Sequence, residues 1–217
     1  MASLAVSDCG HVIAEMTWPS GQNHTVELLP NLLHLLRQAK IELKQIEALI
    51  VATGPGSFNG LRAGIATAKG LAISLGIPVV GISTLEADAY PHAETGLPIC
   101  PLQNAGRGEI ATALFRVQDG MWQRIVAEHI TTVPNLCATI TTETVMCGWL
   151  PDDIAQTIIQ HARAPVIIAS GIRRAGFLAK LGWQRIERGE TESPITLQPL
   201  YLRPPSVTKS KKKEITR

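Results

Sequence analysis

The residues with the clearest chemical spacing lie in the run Gly54-Pro55-Gly56-Ser57-Phe58-Asn59-Gly60. An apolar, β-rich stretch (48–52) leads into it, and a small-residue helix is expected from about Leu61 to Leu75. A strand, a tight glycine loop and a helix N-terminus together offer free backbone N–H groups to an anion. The candidate loop residues are Gly54, Gly56, Ser57 and Gly60. Their spacing, G-x-G-x-x-x-G, is one residue too long for the dinucleotide fingerprint. The G-K-[S/T] ending of a P-loop is also missing, because Lys69-Gly70 stands in the wrong order and place. Two readings stay open: an unusual phosphate loop, or a tight strand-to-helix turn that packs against a partner.

Other chemistry is sparse. The six histidines (His11, His24, His34, His92, His129, His161) form no i, i+4 pair and no H-E-x-x-H, so no metal site is expected. No G-x-S-x-G is present, and Ser57 has no assignable base. Glu86, Asp88, Glu94 and Glu109 show no recognisable pairing. Asp152-Asp153 after Pro151 reads as a helix start, where acids complement the dipole. No catalytic constellation emerges.

The elements that would position these residues alternate between strand and helix, which argues for an α/β fold. A hairpin is expected over 4–16 with its turn at Cys9-Gly10. Glu27 to Ala39 reads as a helix whose Leu28, Leu29, Leu32, Leu33, Leu35 and Leu36 fill an arc of roughly 160°, wide enough for two packing partners. Pro30 then falls in its first turn, where it is tolerated. In the following helix, Gly64 and Gly70 each cost about 1 kcal/mol relative to Ala, so close packing or a partner is the expected compensation. A short strand (78–82), a helix (84–90), strands at 99–102, 109–117 and 123–130, an ambiguous stretch (141–150), a helix (152–161), a strand (166–169), a turn at Ser170-Gly171 and a helix (173–181) follow. A boundary is placed near Gly96. It divides residues 1–96 from a second α/β unit at 97–190, with 191–208 rejoining the first and 209–217 a basic flexible tail.

The 217 residues suffice for two small domains with real cores. Hydrophobic content of 45% and charged content of 18% indicate a globular chain. The net charge is +2, of which the tail (Lys209, Lys211, Lys212, Lys213, Glu214, Arg217) carries +4, leaving about −2 elsewhere. That balance excludes a fold built as a whole for nucleic acid; the tail alone could attract it. Four cysteines without paired spacing read as reduced thiols in a cytoplasmic protein. Arg62, Lys69 and the break at Gly76-Ile77-Pro78 argue against a membrane span, and no basic segment precedes the first apolar run, so no secretory leader is expected.

The wording of three segments adds a family resemblance. GPGSFNGLRAGIATAKGLAISLGIPVVGISTLEA (54–87) resembles the signature of the TsaB family, with Asn59 where threonine is usual. Gln22 to Pro30 resembles its N-H-S-x-x-L-L-P segment, and Pro199-Leu200-Tyr201-Leu202-Arg203 its P-x-Y-L-R segment. Asn104 to Glu109 matches its D-A-R-x-x-E only loosely. The resemblance implies an actin-like ATPase (sugar kinase-like) fold of two small domains with mixed sheets flanked by helices. It implies a non-catalytic subunit that pairs with a TsaD-type catalytic paralogue and works with a TsaE-type ATPase. Their product is threonylcarbamoyl-adenosine next to the tRNA anticodon, tRNA being met through the complex. Alone, the chain is expected to form a homodimer. No cofactor is implied beyond weak nucleotide binding at the loop. The paralogue's H-x-x-x-H metal ligands correspond here to Thr84 and Asp88, a poor pair for a nitrogen-ligand metal site. The family also opens with a strand ending in an Asp-Thr pair that this sequence does not show, so an unpaired sheet edge is expected and ATP hydrolysis is not. The implied partner interface uses His24, Leu28, Leu29, Leu32, Leu33, Leu36, Leu61, Arg62 and Ile65. The rival reading is a stand-alone actin-like kinase or ATPase; a peptidase finds no nucleophile or metal site here.

Overall fold

The computed structural model describes residues 1–203 apart from Gln22 and Ser170. The expected turn at Ser170-Gly171 and the basic tail therefore lie outside the described residues, in part or whole. The chain opens with the hairpin β1 (Ala2–Asp8) and β2 (His11–Trp18). Its two-residue turn has Cys9 at φ 46° and Gly10 at φ 77°, the double positive-φ pattern that matches strand twist. Helix α1 (His24–Ala39) follows. It begins three residues before the expected Glu27, because the Asn23 carbonyl already accepts from the Val26 and Glu27 N–H groups. Pro30 thus sits beyond the first turn, on an exposed face. Left-handed Lys40 ends the helix, and Ile41 N–H closes back on the Leu36 carbonyl at 3.0 Å.

Strand β3 (Leu49–Gly54), helix α2 (Phe58–Leu75) and strand β4 (Val79–Ser83) make a right-sized parallel β-α-β unit. Helix α3 (Thr84–Ala89) is buried almost throughout and joins two cores. Its Leu85 packs with Ile99 and Phe115, while its Ala87 packs with Val80 and Ile82.

The second half is a five-stranded mixed sheet in the order β7-β6-β5-β8-β9. Its strands are β5 (Ile99–Gly106), β6 (Glu109–Gln118), β7 (Met121–Thr132), β8 (Thr144–Gly148) and β9 (Val166–Ile168). The first three are antiparallel neighbours; β8 and β9 add in parallel through helix α5 (Asp152–His161). The ambiguous stretch resolves as β8. A helix missed in the sequence, α4 (Val133–Thr139), starts where Thr132 Oγ1 accepts from Asn135 N–H and Pro134 occupies the first turn.

Helix α6 (Ala175–Glu187) runs six residues past its expected end and packs on β1, β2, β3 and β4. The chain therefore returns to the first half at α6, ahead of the expected Thr191. Close approach explains the added length. A Cβ at Gly182 would lie 2.4 Å from Ile50 Cγ1, and one at Gly176 2.9 Å from Val12 Cγ2. The hairpin β1-β2 and the pair β3-β4 are separate two-stranded sheets, yet helix α6 packs on both. Leu4 and Val6 face α1, Leu49 and Val51 face α2, and Ile50 faces α6.

No helix among the described residues is long and apolar enough to cross a membrane. Cys9 is exposed, while Cys100, Cys137 and Cys147 are buried, and burial pushes the Cys100 thiol up to about 11. A thiol titration of the native protein with a disulfide reagent near pH 8 should therefore count one reactive cysteine, rising to four on unfolding. Two fast thiols in the native state would contradict this packing.

Candidate functional site

The glycine loop is built from β3 and α2. Ser57 caps α2, its Oγ accepting from Gly60 N–H at 3.4 Å, so the helix starts at Phe58 rather than Leu61. Leu61 then plugs the loop from below. A Cβ at Gly54, which has φ 116°, would meet Leu61 Cδ1 at 3.0 Å and the Leu200 carbonyl at 3.2 Å. At Gly56 the same methyl stands 3.8 Å away. The space beneath Gly54 and Gly56 is thus taken by protein atoms. Ser83 Oγ donates to the Gly54 carbonyl, and Leu200 N–H donates to the Thr53 carbonyl at 2.8 Å.

The loop collects two of the segments singled out in the sequence. Tyr201 Oη accepts from Arg62 Nε at 3.2 Å. Arg203 forms an ion pair with Glu109 and donates to the Ala105 carbonyl. The loosely matching 104–109 stretch is therefore a hairpin turn, with Gly106, Arg107 and Gly108 all at positive φ, and its glutamate anchors the Pro199–Arg203 segment.

Between the two halves lies a polar cleft of about 300 Å³, lined by Glu86, Trp122, Gln184 and Arg185 among others. Nothing in the spacing of the sequence announces it. Arg185 donates to the Gly81 carbonyl and to Glu86 Oε2, both at 2.6 Å, while Gly81 N–H donates to Glu192 Oε1. Burial raises the Glu86 carboxyl above its ordinary 4.5, against the pull of Arg185. A raised native-state value means that the native protein holds this proton more tightly than the unfolded chain. The Glu86 contribution is then fully present below pH 4.5 and shrinks as pH rises through the native-state value. In urea melts between pH 4 and 8, wild type should lose ground against Glu86→Gln as pH rises; a difference that is flat with pH would refute it.

Thr84 and Asp88 share one face of α3, four residues apart. Asp88 is held by Arg173 Nε at 2.8 Å and by its Nη2, and Thr84 Oγ1 is buried without a partner. Among the described residues no cluster of three or more His, Cys, Asp or Glu could hold a metal ion.

The expected interface residues divide. Leu36 and Ile65 are buried in the chain's own core, so they offer nothing to a partner. Leu28, Leu32 and Leu61 are half-buried, Leu32 against Leu35 and Leu36. Leu29, Leu33 and Arg62 are exposed, and His24 opens α1. Sequence reading missed Val26, which continues the Leu29–Leu33 stripe at helical spacing, and Ile73 on α2. The thin face of α2 points outward. Ala66 and Gly70 are exposed, and a Cβ at Gly70 would meet nothing within 4 Å, so no contact within the chain demands a glycine there.

The comparisons with known proteins agree with this architecture. A family model described as TsaD, tRNA N6-adenosine threonylcarbamoyltransferase, matches residues 12–146. The tRNA threonylcarbamoyladenosine biosynthesis protein TsaB of Bacillus subtilis (strain 168) is 34% identical over 118 residues, covering 54% of this chain and 52% of that protein. The protein of the same name from Escherichia coli (strain K12) is 30% identical over 135 residues, covering 56% and 58%. The matched stretch thus spans little more than half the length of these TsaB relatives. An uncharacterised protein of Mycobacterium tuberculosis (strain ATCC 25618 / H37Rv) is 30% identical over 195 residues, covering 89% and 82%. A crystal structure from Pseudomonas aeruginosa, an uncharacterised protein with similarity to peptidase YeaZ, superposes with a TM-score of 0.78 at 24% identity, covering 93% and 94%.

The mixed sheets flanked by helices define an α/β protein with the actin-like ATPase fold, the fold of that YeaZ-like structure. The length of the family match places it in the group that the TsaD model describes. Within that group the chain belongs to the TsaB family.

Proposed function

We propose that this chain is a non-catalytic subunit that pairs with a TsaD-type transferase in forming N6-threonylcarbamoyladenosine in tRNA next to the anticodon. The observation that carries this reading is the outward surface of α1 and α2. Val26, Leu29 and Leu33 make an exposed apolar stripe, and Ala66 and Gly70 leave α2 thin enough for another helix to approach. Two helices with such faces pack readily against two others in a four-helix contact. The same surface serves the homodimer expected when the chain is alone. A TsaE-type ATPase completes the set of partners. Against a stand-alone kinase or ATPase stands the filled underside of the glycine loop, where Leu61 and Leu200 occupy the room beneath Gly54.

The test is threonylcarbamoyl-adenosine formation on tRNA, supplied with the activated threonylcarbamoyl donor and the ATPase. It compares the paralogue alone, this chain alone, and both. Product only with both establishes the subunit role. Product from this chain alone overturns it, and product from the paralogue unchanged by this chain also counts against it.

A further inference from the structure

At the N-terminal end of α2, beside the glycine loop, three side chains form a small exposed assembly. The guanidinium carbon of Arg62 lies 3.9 Å from the ring centroid of Phe58. Its Nε donates to Tyr201 Oη at 3.2 Å. The rings of Phe58 and Tyr201 stand 5.9 Å apart, tilted by 37°, and the two residues remain 48% and 45% exposed. The rings are therefore held in place without covering each other.

Arg62 is one of the arginines that no carboxylate neutralises among the described residues, as are Arg37, Arg107, Arg116 and Arg163, but it alone of these lies over an aromatic ring. Arg124, Arg173, Arg174, Arg185, Arg188 and Arg203 each pair with a carboxylate, whereas Arg62 meets a ring and a hydroxyl. Its charge is thus oriented but not neutralised. Arg107 is exposed on the hairpin turn whose Ala105 carbonyl meets Arg203, two residues from Tyr201. The sequence after Arg203 also carries Lys209, Lys211, Lys212, Lys213 and Arg217.

We propose that Phe58, Arg62 and Tyr201 form a stacking platform for an unpaired base of tRNA, with Arg62 taking an adjacent phosphate. The proposal rests on the tRNA-modification reading above and names where this subunit would touch the nucleic acid. Exposed aromatic rings beside unneutralised arginine are the combination that binds single-stranded nucleic acid without demanding a sequence, since every base has a π-face. The fold as a whole lacks the charge to hold RNA, so a local contact within an assembled complex fits better than an extended groove.

The test is fluorescence anisotropy with end-labelled tRNA transcript, using the full chain both alone and assembled with the paralogue. Phe58→Ala and Tyr201→Ala should each weaken binding about tenfold, and Phe58→Trp should restore it. Arg62→Gln should weaken binding and reduce the slope of log affinity against log salt by about one. Melting temperatures confirm that the variants fold, and gel filtration with the paralogue separates this contact from subunit pairing. Wild-type tRNA affinity in Phe58→Ala and Tyr201→Ala overturns the proposal. So does a loss of pairing with unchanged RNA affinity, which would make the platform a protein contact. Competition by free AMP, with tRNA affinity insensitive to Arg62→Gln, would mark a nucleotide site and overturn it as well. A reconstituted reaction that needs this chain but ignores these substitutions leaves the subunit role intact and removes only the platform.

Discussion

Glutamates in place of Leu29 and Leu33 should abolish pairing with the paralogue while leaving the monomer folded. Both leucines stand on the outer face of α1, 43% and 41% exposed. Neither belongs to the cluster that Leu35 and Leu36 form with Val6. Replacing an exposed side chain away from the core shifts stability by about 0.5 kcal/mol or less. In a helix-to-helix contact the same change removes about 2 kcal/mol of apolar burial per leucine and leaves a carboxylate to desolvate. A rise in Kd of 100-fold or more, about 3 kcal/mol, is the expected result by titration calorimetry. Leu36→Glu provides the contrast: at 3% exposed, it should unfold the domain and lose pairing with it. A complex retained by the double variant on gel filtration would remove this face from the interface.

Gly148→Ala should be among the most damaging single methyl additions in the protein. Gly148 ends β8 with φ 84°, where a side chain is strained by about 1–2 kcal/mol. A Cβ there would lie 2.5 Å from the Leu102 carbonyl oxygen and 3.2 Å from the Leu102 nitrogen. These are backbone atoms of the paired strand β5, and the same carbonyl accepts from Trp149 N–H at 2.7 Å. No rotamer change relieves the clash, so the central strands must part, at about 1–3 kcal/mol more. A loss of about 3 kcal/mol, or roughly 10 °C in Tm, follows for a domain of this size. Gly70→Ala runs the other way. With open space around it inside α2, it should stabilise the isolated chain by about 0.5–1 kcal/mol. Urea melts of both variants against wild type decide the pair.

Residues with strong local signals are legible in the sequence alone. The turn at Cys9-Gly10, the loop from Gly54 to Gly60 and the helix 152–161 each follow from turn chemistry or periodicity alone. Segments whose fate depends on distant partners are not. Leu36 and Ile65 look the same in sequence as Leu29 and Leu33, and only β1 and β3 packing against the helices decides which leucine is inside. Helix α6 outran its expected end because Gly182 and Arg185 dock on β3 and β4, contacts between residues more than 100 positions apart. The Arg185–Glu86 bridge was hidden for the same reason. Helix α4 is the exception, since Thr132 followed by Pro134 is a start signal that reading could have used.

The two small sheets carry a consequence for handling the protein. Strand β1 pairs with β2, and β3 with β4, so the far edge of β1 and the far edge of β3 have no strand neighbour among the described residues. Helix α6 touches β1 at Ala175, β3 at Gly182 and β4 at Arg185. Seven residues of helix span about 10 Å, and three span about 4.5 Å. The shorter step equals one strand spacing and the longer equals two. Neither β1 nor β3 contains lysine or proline, the residues that usually blunt an open edge. Each of these edges is a template for strand pairing between copies, and turbidity on concentration should climb faster than for a sheet with closed edges.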